Sequence, residues 1–214
     1  AKQATSEKSV IIADTGGTSY DVSLVRDGRI PWTRETWLGQ RFRGHMTGFP
    51  SVDVKRIGAG GGSIAWVDDG GLLHVGPQSA GSSPGPVCYG AGGAQPTVTD
   101  CALALGFIDP AFFLGGAMKL DKDKAMDAID KNVAKVLKIS IEEAAQAVLA
   151  LATEKMVGAI EEITVNQGID PKSACLIGGG GAAGLNANAV AKRLGCSKAI
   201  IPNVGAALSA SGAL

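Results

Sequence analysis

The sequence predicts an α/β fold: a mixed sheet of three antiparallel strands followed by two parallel ones, flanked by helices. Three observations carry this. Residues 9–13 form a short, apolar, β-branched run that breaks at Asp14-Thr15-Gly16-Gly17-Thr18, so a buried strand ends in a glycine turn. Ser140-Ile141-Glu142-Glu143 is a capping box, in which the serine oxygen and the glutamate carboxylate satisfy orphan amides, and it opens a helix predicted to run close to Gln167. Residues 173–177, a glycine run, residues 185–194 and residues 198–201 read as strand, loop, helix and strand, an order that favours parallel pairing.

The elements between these follow from local chemistry. Residues 20–26 alternate in character, Asp27-Gly28 is a hairpin turn, and residues 29–37 supply the third antiparallel strand. Residues 38–96 are rich in glycine, proline and serine, with short strand candidates at 52–57, 63–67 and 72–75. Their apolar residues are too frequent for a solvated linker, so they read as an irregular elaboration. Helices are predicted at 97–105, with a threonine cap, and at 121–137. The long helix that follows buries Ile141, Ala145, Val148, Ala152, Met156, Ile160 and Ile163. A small-residue helix is expected from Gly205 onward, and Trp32, Trp37 and Trp66 are expected to anchor the core. No internal repeat is visible.

A length of 214 residues suits one α/β unit. Twenty Lys and Arg balance twenty Asp and Glu, which removes the electrostatic case for nucleic acid or an anionic membrane and points to a small molecule or another protein. Cys88, Cys101, Cys175 and Cys196 form no C-x-x-C pair, and His45 and His74 have no metal spacing. Reduced thiols in a cytoplasmic protein and surface or structural histidines are the expectation. No stretch approaches the ~20 apolar residues that cross a bilayer, and the opening segment lacks the apolar centre of a signal peptide.

Two glycine loops carry the chemistry. Gly16 and Gly17 let backbone amides reach phosphate oxygens, and Thr18 and Ser19 add hydroxyl donors. Asp14 and Asp21 repel a bare phosphate, so they point to a Mg2+ ion, with Asp14 the first candidate to hold it. Gly178, Gly179, Gly180 and Gly181 follow a second strand and precede a helix, where bare backbone can lie against an adenine–ribose unit. At the ends of neighbouring strands the two loops would line one cleft.

The segment Asp14-Thr15-Gly16-Gly17-Thr18-Ser19-Tyr20-Asp21 resembles the second phosphate motif of the actin and sugar kinase superfamily, and Ile177-Gly178-Gly179-Gly180-Gly181-Ala182-Ala183-Gly184 resembles its adenosine motif. Ile57-Gly58-Ala59-Gly60-Gly61-Gly62-Ser63-Ile64-Ala65, Val75-Gly76-Pro77-Gln78-Ser79-Ala80-Gly81, Pro84-Gly85-Pro86-Val87-Cys88-Tyr89-Gly90 and Pro96-Thr97-Val98-Thr99-Asp100 are similar to the hydantoinase A and 5-oxoprolinase family, which includes acetone and acetophenone carboxylase subunits. The resemblance covers almost the whole chain.

It implies an actin-like ATPase fold, ATP and Mg2+ as cofactors, and catalytic roles for Asp14 and Asp21. ATP would activate an unreactive carbonyl: a cyclic amide before hydrolysis, or bicarbonate or a ketone enolate in the carboxylases. The family carries a preceding domain with its own Asp-x-Gly-Gly-Thr loop, and one such loop is present here. Residues 1–214 are therefore expected to form the second, C-terminal lobe, with the insertion at about 38–96. The partners implied are an N-terminal lobe, a second subunit and the small-molecule substrate, and the chain alone should turn over little. A noncatalytic actin-like scaffold is the rival, but it would tolerate replacement of Asp14 and Asp21. A sugar-kinase-type ATPase does not predict residues 58–65 or 84–89. Residues 58–65 either touch phosphate or substrate, or pack as a junction between strands. Cys88-Tyr89 and Thr97-Val98-Thr99-Asp100 read as a tight turn and a helix cap.

Overall fold

The computed structural model describes residues 7–38 and 42–212. Residues 1–6 of the opening segment, residues 39–41 of the elaboration and residues 213–214 of the final small-residue segment lie outside the described residues. The chain runs β1 (Val10–Thr15), β2 (Tyr20–Val25), β3 (Val54–Ile57), β4 (Ser63–Val67), β5 (Leu73–Ser79), α1 (Val98–Ala104), α2 (Lys122–Ile129), α3 (Ile141–Gln167), β6 (Cys175–Gly179), α4 (Ala183–Leu194), β7 (Lys198–Ile200) and α5 (Leu208–Ser211). Two-residue ribbons occupy the stretch between β2 and β3.

Five strands form one sheet in the order β7-β6-β1-β2-β3. β1, β6 and β7 are parallel, with Asp14 beside Gly179. β2 is antiparallel to both β1 and β3, so that Asp14 stands opposite Asp21 and Asp21 opposite Arg56. Three antiparallel and two parallel strands are thus present, but the third antiparallel strand is not residues 29–37. The Asp27-Gly28 turn forms, both residues having left-handed φ values of 49° and 71°, and an Arg26–Arg29 bridge closes it. Pro31 then lacks an amide for the ladder. The chain leaves the sheet, Trp32–Thr33 pairing with Ser51–Val52 and Trp37–Leu38 with His45–Met46. β3 returns from within the supposed elaboration and places Ile57 against the main core.

One face of the sheet is sealed by α3 and α4. Ile11, Ala13, Tyr20, Val22 and Leu24 meet Met156, Ile160 and Ile163 of α3 and Val190 and Leu194 of α4. The periodicity read from the sequence accounts for α3: Ala145, Val148, Ala152, Met156, Ile160 and Ile163 are buried, while Ile141 is partly so. Its capping box is formed, with Ser140 N donating to Glu143 Oε2 at 2.8 Å and Glu143 N to Ser140 Oγ at 3.1 Å. The first half of α3 serves a second core with β4, β5, α1 and α2, where Ala65, Val75, Val98, Cys101 and Ile129 gather. A helix of this length spans ~40 Å, so it joins both cores as one rod. The helix predicted at 121–137 is α2 continued by a π-turn at Asp130–Ala134 and a last turn at Lys135–Leu137.

The tryptophan expectation is corrected at Trp32, which is 67% exposed on its ribbon. Trp37 and Trp66 are half-buried. Trp66 stacks on His74 at 4.4 Å, and His74 Nε2 contacts Asp68 Oδ2 at 2.6 Å, so His74 pins a hairpin. His45 is exposed. Among the described residues no helix is long and apolar enough to cross a membrane.

Candidate functional site

The turn between β1 and β2 is held from within and left open at its tip. Gly16 N donates to Ser19 O at 3.0 Å and Ser19 Oγ to Asp21 Oδ2 at 3.1 Å. Among the described residues the amides of Gly17 and Thr18 donate to no protein acceptor, and both residues are exposed. Thr15, just before the turn, is buried and anchored to Asn186 Oδ1 of α4 at 3.2 Å.

The second glycine loop lies on the adjacent strand tip. Ala182 N donates to Thr15 O at 3.0 Å. Gly180 has a φ of 85°, and a Cβ built there would lie 2.5 Å from Asp14 Oδ1. Only glycine satisfies both the backbone angle and the approach. Residues 14–21 and 178–184 therefore stand side by side, the arrangement that the sequence reading required.

The segment 58–65 is the strap beneath them. Gly61 N donates to Gly16 O at 3.0 Å and Gly62 N to Gly17 O at 2.6 Å. Gly61 O in turn accepts from Thr99 N and Thr99 Oγ1, each at 2.8 Å. A Cβ on Gly60 would lie 2.7 Å from Gly16 O and from Gly17 C. Its residues 59–63 are buried, which is the packing-junction reading. Gly61 and Gly62 also line the cleft described below.

Thr97-Val98-Thr99-Asp100 caps α1, as its sequence indicates, and Asp100 does more than cap. Fully buried, it accepts from Thr97 N and Thr97 Oγ1 at 2.8 Å, from Cys88 N at 2.8 Å and from Val87 N at 3.2 Å. The turn at Cys88-Tyr89 is thereby tied to the start of α1. All four cysteines are free. Cys88 and Cys101 are buried, and burial, followed by the neighbouring Asp100 charge, raises both thiols above their ordinary value, which disfavours the thiolate that a nucleophilic cysteine needs.

Three glycine segments meet at a cleft of about 580 Å³, represented by Gly17, Gly61, Gly62, Gly181 and Gly184. Its outer wall is a loop that the sequence reading missed. Phe107, Ile108, Phe112, Phe113 and Leu114 line it with Asp109, and Phe107, Phe112 and Leu114 are 63%, 70% and 67% exposed. The available signal was an aromatic cluster between Gly106 and Gly115, interrupted by Pro110 and so unsuited to a core helix. Large apolar groups left open beside bare backbone make a slot for a flat, partly apolar ligand.

Asp14 and Asp21 share one row of the sheet but have different neighbours. Asp21 Oδ1 accepts from Arg56 Nε at 2.5 Å, and this bond with the Asp21 charge holds the Arg56 guanidinium above its ordinary value. Asp14 Oδ2 accepts from Ser209 Oγ. Among the described residues no three His, Cys, Asp or Glu side chains gather to hold a metal. Two carboxylates beside hydroxyls and open amides fit a hard cation that keeps water and takes phosphate oxygens, as Mg2+ does.

The model of the hydantoinase/oxoprolinase family matches residues 1–214. The chain belongs to this family. It is 44% identical over 203 residues to the caprolactamase subunit alpha of Pseudomonas jessenii, covering 95% of the chain and 29% of that subunit. The crystal structure of the ATP-dependent caprolactamase from Pseudomonas jessenii superposes with a TM-score of 0.88 at 43% identity, covering 98% of this chain and 30% of that one. The nucleotide-free structure of acetone carboxylase, from work on ATP-dependent acetone carboxylation, gives 0.88 at 31% identity, covering 98% and 29%. This hydantoinase/oxoprolinase chain thus spans less than a third of the relatives it matches.

Proposed function

We propose that the chain is one lobe of an ATP-dependent enzyme that activates a cyclic amide carbonyl before hydrolysis. The observation that carries this is the single cleft shared by Gly17, Gly61, Gly62, Gly181 and Gly184. The amides of Gly17 and Thr18 and the Thr18 hydroxyl are open to a phosphate tail, with Gly16 and Ser19 shaping the turn that presents them. Gly180 and Gly181, with the wall of Phe107 and Phe112, take the ribose and base, while Gly178 and Gly179 lie buried at the end of β6.

Mg2+ would supply charge neutralisation on the phosphates, with Asp14 holding it and Asp21 orienting the adjacent Arg56. In the reaction the amide oxygen bonds to the γ-phosphorus as the bond to the β,γ-bridging oxygen breaks. The electron pair leaves on ADP and the amide proton passes to water. Water then adds to the activated carbon and the C–N bond breaks as the ring nitrogen takes a proton, which opens the ring and leaves an acyl phosphate. A second water releases phosphate and leaves the carboxylate. Positioning supplies most of the catalysis, since phosphoryl transfer asks little covalent work of the protein. The opposite wall of the cleft would come from an N-terminal lobe, a second subunit would complete the enzyme, and the compartment is the cytoplasm.

The likeness to acetone carboxylase favours a second reading, in which ATP activates bicarbonate or a ketone enolate. The test is ADP release by the complete enzyme, offered lactams, hydantoins and 5-oxoproline in one series and ketones with bicarbonate in the other. Stimulation by a cyclic amide, with ring-opened product, is expected. Stimulation by ketone plus bicarbonate alone would move the chain to the carboxylase branch, and no ATP use in either series would sink both readings.

A further inference from the structure

The turn after β7 reaches back to both glycine loops at three points. Gly205 O accepts from Gly180 N at 2.8 Å. Leu208 fills the space beside Gly179, where a Cβ would lie 2.5 Å from Leu208 Cδ2. Ser209 Oγ donates to Asp14 Oδ2. The other oxygen, Asp14 Oδ1, lies against Gly180, where any side chain would collide with it. Asp14 is gripped from two sides by segments remote from it in sequence.

Packing alone does not require the hydroxyl. Leu208 supplies the apolar contact, with Ile12, Ile177 and Ile200, whereas Ser209 is exposed on a four-residue helix. Asp21 is oriented by Ser19 and by Arg56. Asp14 has no basic partner among the described residues, so the Ser209 bond sets the plane of its carboxylate. A carboxylate has about four acceptor sites, and fixing one aims the rest.

We propose that Ser209 is a positioning residue: its hydroxyl fixes the Asp14 carboxylate so that the remaining lone pairs face the phosphate loop, where a Mg2+-bound nucleotide is held. This rests on the nucleotide reading of the cleft. Partners that orient a metal-binding side chain change metal affinity by ~10–100-fold when removed.

The experiment uses the complete enzyme with Ser209→Ala and Ser209→Thr. Mn2+ binding at saturating ADP is followed by the electron paramagnetic resonance of free Mn2+, and ADP binding is measured separately in EDTA. For Ser209→Ala the Mn2+ dissociation constant is expected to rise by ~10-fold or more, metal-free ADP affinity to stay unchanged, and Ser209→Thr to restore the metal affinity. Unchanged Mn2+ affinity in Ser209→Ala, with the unaltered enzyme binding ADP normally, would overturn the proposal while leaving the nucleotide reading intact. Equal losses of metal-free ADP affinity and thermal stability would also overturn it, making Ser209 a structural peg. Failure of the unaltered enzyme to bind ADP would remove the nucleotide reading and this inference with it.

Discussion

Asp14 and Asp21 occupy paired positions on adjacent strands, an arrangement that is unfavourable for two like charges unless each is given a partner. Asp21 receives Arg56 and Ser19, and Asp14 receives only a hydroxyl. That asymmetry leaves Asp14 as the carboxylate free to serve a cation. Asp14→Asn in the complete enzyme is expected to abolish ATP-coupled turnover while the circular dichroism spectrum and melting temperature stay unchanged; an unfolded variant would show that Asp14 is structural. Asp100 belongs to the opposite class, a buried acid fully engaged by three amides and one hydroxyl. Asp100→Ala leaves those donors orphaned at ~1–3 kcal/mol each. Urea denaturation is expected to show a loss of at least ~3 kcal/mol, and a smaller loss would mean that the donors find other acceptors.

At the scale of elements, the strap at residues 58–65 lies close against the turn between β1 and β2 because Gly60 and Gly62 carry no side chains to hold it away. Gly60→Ala puts a carbon where Gly16 and Gly17 already stand, so overpacking is expected to cost ~1–3 kcal/mol. The displaced turn should weaken ADP binding by at least ~10-fold, equivalent to ~1.4 kcal/mol. Gly158→Ala is the matching control: the glycine lies within α3, nothing stands within 4 Å of its added carbon, and the change should stabilise by up to ~1 kcal/mol. Calorimetric titration with ADP separates the two, and equal affinities in both variants would show that the strap does not govern the turn.

At the scale of the molecule, α3 joins the core under the five-stranded sheet to the core under α1, so both are built on one rod. The cleft opens between these two bodies, and its apolar wall is exposed to about two-thirds at Phe107, Phe112 and Leu114. An open wall binds a nucleotide weakly, because burying most of a ligand's surface needs a second side. The 214-residue chain by itself is therefore expected to hydrolyse ATP barely above background, and joining it to the opposite lobe to restore turnover. Phosphate release measured on both preparations checks this; robust hydrolysis by the chain alone would show that one lobe suffices.

Strand, turn and helix types were legible in the sequence because they depend on neighbours a few residues apart. The β-branched run before Asp14, the capping box at Ser140, the threonine cap at Thr97, the Asp27-Gly28 turn and the buried stripe of α3 are all such cases. The two glycine loops were legible for the same reason, since each is a local break after a strand. Tertiary structure decided which segment became the third antiparallel strand: Pro31 weakens residues 29–37 as a ladder strand, but both segments read locally as strand, and the pairing of residues 54–57 with β2 and the core contact of Ile57 settle it. It also decided the Ser209 bond to Asp14, the Val87 and Cys88 bonds to Asp100, and the aromatic wall of the cleft. Those hydrogen bonds join residues from 12 to 195 positions apart, and the short-range patterning that sets a helix or a turn carries no record of them.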